Sequence, residues 1–300
     1  MVFEMNKPGQ SPDRTAEALL FAVMIIWAVN YPVAKYAMGG INLYVFNSIR
    51  YVVAAGVLVA IFAARSAWYP VASKDWKALL QAGFVANVLY QMAFITGLNL
   101  TTAGNSAVLL STAPLWTVYI NSRMHSEPIS KPMWTGMLVS LIGVVMIIIG
   151  SGKKLEFGSH ELVGDFVSLG AAALWGLNTN LQKPLLTRYS ATQLALVMIL
   201  VGAVGLTLIG IPPMLTMHWG TVHWTFYLAA VGSGALSIGA ANIVWSYGVK
   251  RLGPGRTANF SNLVPVLAFI LSSMLLDEKV LIIQYFGAAV TIFGVWIARR

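Results

Sequence analysis

Apolar residues along this chain gather into ten stretches of about 18–23 residues, separated by short polar or glycine- and proline-bearing gaps. They run near Ala16–Met38, Leu43–Ala64, Trp76–Leu98, Thr102–Asn121, Met133–Gly150, Asp165–Leu186, Ala191–Ile211, Thr225–Tyr247, Arg256–Leu276 and Leu281–Ala298. A hydrocarbon core about 30 Å thick takes roughly 20 residues of α-helix, so each stretch predicts one spanning helix. The period-2 alternation of strands is absent, which excludes a membrane barrel. The longest gap, Ser151–Gly164, divides the pattern into halves of five stretches each.

The second half repeats marks of the first. Glu17, Trp27, Asn30 and Lys35 are matched by Asp165, Trp175, Asn178 and Lys183, 148 residues on. Pro114 and Glu127 recur as Pro265 and Glu278, and Gly136 and Gly143 as Gly287 and Gly294, both pairs shifted by 151. An odd number of spans per copy puts the second copy into the membrane upside down. The predicted fold is therefore an all-α membrane protein: ten transmembrane helices, as two inverted five-helix repeats around a central cavity. Residues 1–150 form the first repeat, after a short polar N-terminal tail, and residues 151–300 the second. That is the architecture of a secondary transporter working by alternating access.

Composition agrees. The chain is 58% apolar and only 10% charged, with a mean hydropathy of +0.74, against about a quarter charged in soluble domains. The net charge of +9 invites a nucleic-acid reading until its distribution is examined. With the N-terminus inside, thirteen basic residues fall on the inner side: Lys7, Arg14, Arg65, Lys74, Lys77, Arg123, Lys131, Arg188, Lys250, Arg251, Arg256, Arg299 and Arg300. Three fall outside, Lys153, Lys154 and Lys279, and three within spans, Lys35, Arg50 and Lys183. This positive-inside bias places both termini in the cytoplasm and makes the bilayer, not nucleic acid, the partner of the basic residues. The polar first fifteen residues lack the features of a cleaved signal peptide, so the first span is expected to remain as an anchor. A single copy is enough to build the cavity, so a monomer is compatible with the pattern.

Trp27, Asn30, Tyr31 and Lys35 share one helix face within about 140°, as do Trp175, Asn178 and Lys183. An amide in hydrocarbon needs a partner, so such faces turn toward protein or water. Asn87 and Gln91 stand one turn apart on the third span, and Gln91 maps by 151 onto Asn242, one turn before Trp245. Asn262 lies on the ninth span. These amides and aromatics suit a lining that hydrogen-bonds a polar small-molecule solute and stacks on its apolar part. They equally suit interhelical hydrogen bonding and packing.

Arg50 lies seven residues into the second span, where a cation costs about 2.5–3.5 kcal/mol and needs a partner. Contact with an anionic group and bonding to backbone carbonyls are both open. Lys35 and Lys183 fall near opposite ends of equivalent helices, as a pair of gating charges or as lysines that snorkel to the headgroups. Pro114 and Pro265 each remove a mid-span hydrogen bond, giving bends that suit either rocking helices or static kinks. Glu17 and Asp165 open their helices and read as caps. No acid occupies the centre of a span, so facilitated diffusion or exchange is expected rather than a proton relay.

Catalysis finds no footing. With no cysteine and with His125, His160, His218 and His223 all expected in loops, no metal site is predicted. The Gly253–Gly255 run lacks the Lys-Ser/Thr of a phosphate loop, so no cofactor is expected either. A membrane-embedded enzyme or a structural or receptor-like protein remains as the alternative class, and neither needs an inverted duplication.

The Trp27 and Trp175 segments, Arg50, and the closing blocks TTAGNSAVLLSTAPLWTVYINSRMHSEPIS and GPGRTANFSNLVPVLAFILSSMLLDEKV resemble the drug/metabolite transporter superfamily, and within it the bacterial ten-span EamA-type exporters. The likeness covers nearly the whole chain; the seventh span departs from it in lacking a basic residue. It implies a multi-pass protein of the cell membrane, in bacteria the inner membrane, exporting amino acids or related small metabolites. Translocators of organic anions or phosphorylated metabolites belong to the same superfamily.

Overall fold

The computed structural model describes residues 14–65, 69–125, 131–150, 160–252, 260–261, 263–275 and 281–298. Among them there is no strand. The helices are α1 (Arg14–Met38), α2 (Leu43–Arg65), α3 (Trp76–Phe84 and Tyr90–Leu100 joined by a wide π turn, Val85–Leu89), α4 (Ala103–Leu110 and Ala113–His125), α5 (Lys131–Gly150) and α6 (His160–Leu186). Then follow α7 (Ala191–Thr216), α8 (Trp224–Gly232 and Ala241–Leu252 joined by a π segment, Ser233–Ala240), α9 (Leu263–Leu275) and α10 (Ile282–Ala298).

Five of these regions are long and apolar enough to cross a bilayer: Arg14–Met38, Leu43–Ala64, Ser73–Leu100, Thr192–Thr216 and Trp224–Trp245. Shorter apolar helices, Trp134–Gly143 and Ile282–Gly294, lie in α5 and α10. The fourth predicted span is not one continuous helix. It breaks at Ser111–Thr112, and Pro114 sits in the first turn after the break, where a helix has no use for its missing N–H. Pro265 likewise falls in the first turn of α9. Asp165, expected as a cap, is the sixth residue of α6, beyond the first turn, and His125 and His160 belong to helix ends rather than loops.

The most extensive helix contacts run in a closed order, α1, α8, α2, α7, α3, α6, α4, α9 and back to α1, with smaller contacts across it such as α1 with α3 and α2 with α3. Helices α5 and α10 pack on one another and join this ring at α4. Their glycines permit the approach, since a Cβ on Gly143 would collide with the Thr291 backbone and one on Gly294 with that of Ser140. The largest core cluster among the described residues runs along α1 from Val23 to Ala37 and takes in Ile95 and Leu98 of α3 and Ala103 and Ala107 of α4. The outer surface is apolar: Phe166, Val204, Leu208 and Phe286 are all well exposed, as side chains facing lipid are.

Candidate functional site

Aromatic side chains meet inside the ring. Tyr31 of α1 stands edge-on to Phe94 of α3, centroids 5.6 Å apart. Helices α1 and α3 are not consecutive in that order but touch directly, and this aromatic contact is part of their meeting. Phe94 stacks on Tyr90 at 6.0 Å, and Tyr90 meets Trp175 of α6 at 5.0 Å. On the other side Trp27 of α1 packs on Trp245 of α8 at 5.2 Å. The two tryptophans that head the repeated pattern thus each meet an aromatic of a partner helix, and all four are half-buried rather than sealed in a core. Tyr90 and Phe94 escaped the sequence reading, although the shift of 151 that takes Gln91 to Asn242 also takes Phe94 to Trp245.

The wide turns of α3 and α8 position this cluster. Adding 151 to Val85–Leu89 gives 236–240, the end of Ser233–Ala240, so the two irregularities occupy equivalent places. A π turn loosens the backbone bonding and recurs at functional sites. In α8 the freed groups take side chains: Trp27 Nε1 donates to the Ser237 carbonyl at 3.0 Å, and Asn242 Nδ2 to that of Ile238 at 2.6 Å. Ser233, at the start of the segment, donates to the buried Asn30 Oδ1. In α3 the turn precedes Tyr90 and Gln91 directly.

Arg50 is almost fully buried, 1% exposed. Its Nη1 donates to Asn47 Oδ1 at 3.2 Å and to Gln91 Oε1 at 3.4 Å, while Nε has no partner. The guanidinium carbon lies 5.2 Å from the centroid of the Phe46 ring. The hydrogen-bond acceptors are both neutral amides. The Arg50–Gln91 contact joins α2 to α3, which touch directly although α7 packs on both.

The remaining predicted residues separate into bonded and packing positions. Asn87 accepts from Tyr51 at 2.9 Å and donates to the Met198 carbonyl at 2.9 Å, tying α3 to α2 and α7. Asn178 is buried and accepts from Gln182 of its own helix. Lys35 Nζ donates to the carbonyls of Leu98, Asn99 and Thr101 at 2.7, 3.0 and 2.5 Å, gathering the orphan carbonyls that end α3. Lys183 lies in α6 with its side chain outside the description, and Asn262 lies outside the described residues. Asp165, 3% exposed, accepts from Thr101 Oγ1 at 2.6 Å.

At the other end of α3, Asp75 takes Arg188 Nη1 at 2.5 Å and Tyr189 Oη at 2.7 Å. Holding that proton against the carboxylate pushes the Tyr189 phenol above its ordinary value. Gln193 donates to the Tyr69 carbonyl at 2.7 Å and accepts from the Tyr69 amide at 3.3 Å. Apart from Arg188, counted among the inner basic residues, none of these was singled out in the sequence.

A groove of about 520 Å³ between α3, α4 and α6 is lined only by apolar residues, among them Ala93, Ile120 and Leu174. It contains none of the predicted residues and offers a polar solute no hydrogen bond. Among the described residues no group of His, Asp and Glu is placed to hold a metal ion.

Comparison with known proteins matches this sequence to a family. The model of the EamA-like transporter family matches residues 14–149 and again 162–300. "Uncharacterized transporter YetK" of Bacillus subtilis is 25% identical over 93% of this chain and 84% of its own length. A "Probable terminal-alkyne amino-acid exporter" of Streptantibioticus cattleyicolor is 24% identical over 94% of this chain and 92% of its own. A solved crystal structure, 18% identical, shares the fold with a TM-score of 0.69 over 95% of this chain and 98% of that one. The family and these relatives indicate a transporter rather than an enzyme, and the apolar helices a multi-pass membrane protein. This chain belongs to the EamA-like transporter family, in keeping with the drug/metabolite transporter superfamily.

Proposed function

We propose that the chain is a ten-span secondary transporter of the bacterial inner membrane, both termini cytoplasmic, that exports amino acids or related small metabolites by alternating access. Its two five-helix units, residues 1–150 and 151–300, are inverted copies, and the ring they form holds the solute. The helix contacts carry this reading. Exchanging α1–α5 for α6–α10 turns α1–α8 into α6–α3, α1–α9 into α6–α4 and α2–α8 into α7–α3, all of which touch. The pairs α2–α7, α4–α9 and α5–α10 map onto themselves. A pseudo-twofold pairing of the two halves is the arrangement in which one repeat can rock against the other around a central site. The family model matching once in each half supports the same division, and the exporter name of one relative supports the amino-acid class.

In this reading Trp27, Tyr31, Trp175 and Trp245 hold the apolar part of the solute, with Asn30, Asn178, Asn242 and Asn262 as polar contacts. Lys35 and Lys183 close opposite ends, and the segments at Pro114 and Pro265 supply the bends. The test is counterflow of radiolabelled amino acids into proteoliposomes. Trp175→Ala is expected to lower flux at least tenfold with folded protein retained, whereas loss of a core aromatic costs about 3–5 kcal/mol and depletes the folded fraction. A protein that folds and moves no amino acid refutes the substrate class; a variant that only misfolds makes Trp175 a packing residue.

A further inference from the structure

We propose that Arg50 is the anion subsite of this transporter, and that its ligand is the carboxylate of the solute. The inference rests on the amino-acid reading above and adds the group on the solute that the protein recognises.

Three observations carry it. Arg50 is 1% exposed, yet both its hydrogen bonds go to neutral amide oxygens, Asn47 Oδ1 and Gln91 Oε1, at 3.2 and 3.4 Å. Charge-assisted bonds to a carboxylate run shorter, about 2.7–2.9 Å, and are roughly twice as strong. Second, Nε is buried with no partner, so the side-on fork of the guanidinium, the edge that pairs bidentately with a carboxylate, is unfilled. Third, Gln91 follows Tyr90, which meets Phe94 and Trp175. The amide that Arg50 bonds is thus next along α3 to an aromatic of the cluster, and a solute with an anionic head and an apolar body is the kind that this pairing fits.

The charge has a mechanical consequence. An uncompensated guanidinium is most costly when the ring closes round it and water leaves. A bound carboxylate removes that cost, so the closed state is reached more readily by the loaded carrier than by the empty one. Arg50 then couples closure to occupancy, which favours exchange over leak.

The experiment is thermal unfolding of the purified full chain, titrated with an equimolar pool of the standard amino acids or with the pool of their C-terminal amides. Ligand binding only the folded state raises the unfolding temperature. Wild type is expected to respond to the acids at concentrations at least tenfold lower than to the amides, and Arg50→Gln to lose that preference. Gln91→Glu places a permanent carboxylate beside Nη1. It is expected to unfold no earlier than wild type and to lose the response to the acids, which keeps the test decisive if Arg50→Gln does not fold. Equal response of wild type to acids and amides, a preference surviving in Arg50→Gln, or equal stabilisation by sodium chloride overturns the proposal. Amino-acid flux that persists while the preference is absent removes the Arg50 subsite alone. A wild type that answers neither pool removes the amino-acid reading, and the subsite with it.

Discussion

The two ends of α3 are held by different chemistry. Where it finishes, one half-buried lysine, Lys35 of α1, gathers three backbone carbonyls, and beside it Tyr36 lies against Phe226 and bonds Thr225. Where it begins, a buried carboxylate, Asp75, takes both Arg188 and Tyr189 from the α6–α7 connection, and Gln193 pairs twice with the Tyr69 backbone. Carbonyls released by Lys35 can bond water at an exposed helix end, so that closure is cheap to undo. A carboxylate stripped of two charge-assisted partners is not so easily satisfied. In the alternating-access reading proposed above, the Lys35 end is the one that opens and the Asp75 end the one that stays anchored.

Asp75→Ala is expected to have the largest effect on this comparison. It removes the acceptor of both bonds and should cost about 2–3 kcal/mol of stability. Arg188→Ala, at a side chain 53% exposed, should cost under about 1 kcal/mol because solvent already screens the pair. Chemical or thermal unfolding in detergent measures both, and equal losses would mean that the ion pair, rather than the carboxylate, anchors this end.

Lys35→Met should act on opening more than on stability. Losing its three bonds shifts the closed-to-open balance by about 1–2 kcal/mol, which raises labelling of a cysteine placed at Asn99 about 5–30-fold. Labelling by an impermeant reagent added outside intact cells also tests the orientation, since reactivity from the cytoplasmic side alone would reverse it. Unchanged labelling would leave Lys35 as a helix-end cap and nothing more. Tyr36→Phe is the smallest change, deleting one exposed hydrogen bond to Thr225, and should cost at most about 0.5 kcal/mol. A larger loss would show that the aromatic pair depends on that bond for its geometry.

Much of the helical plan was readable because burial in lipid demands long apolar runs and punishes interruption. The predicted Leu43–Ala64 stretch falls within α2, and Ala191–Ile211 within α7. Trp27 and Trp175, which the pattern repeats at equivalent mid-helix places, each meet an aromatic of another helix, Trp245 and Tyr90. The pattern could not separate Asn87 from Gln91: one turn apart on one helix, they look alike, but Asn87 is used up between Tyr51 and Met198, while Gln91 faces Arg50.

The sequence by itself determined the all-helical character, the membrane setting and the positions that recur between halves, because these follow from hydropathy and spacing along one dimension. The order of helices around the ring, the π turns that aim Tyr90 and Trp245, the break before Pro114 and the neutral surroundings of Arg50 were decided only by tertiary structure. Each depends on which distant backbone or side chain satisfies a polar group inside the protein, and residues such as Asn30 and Ser233, 203 positions apart, carry no local sign that they will meet.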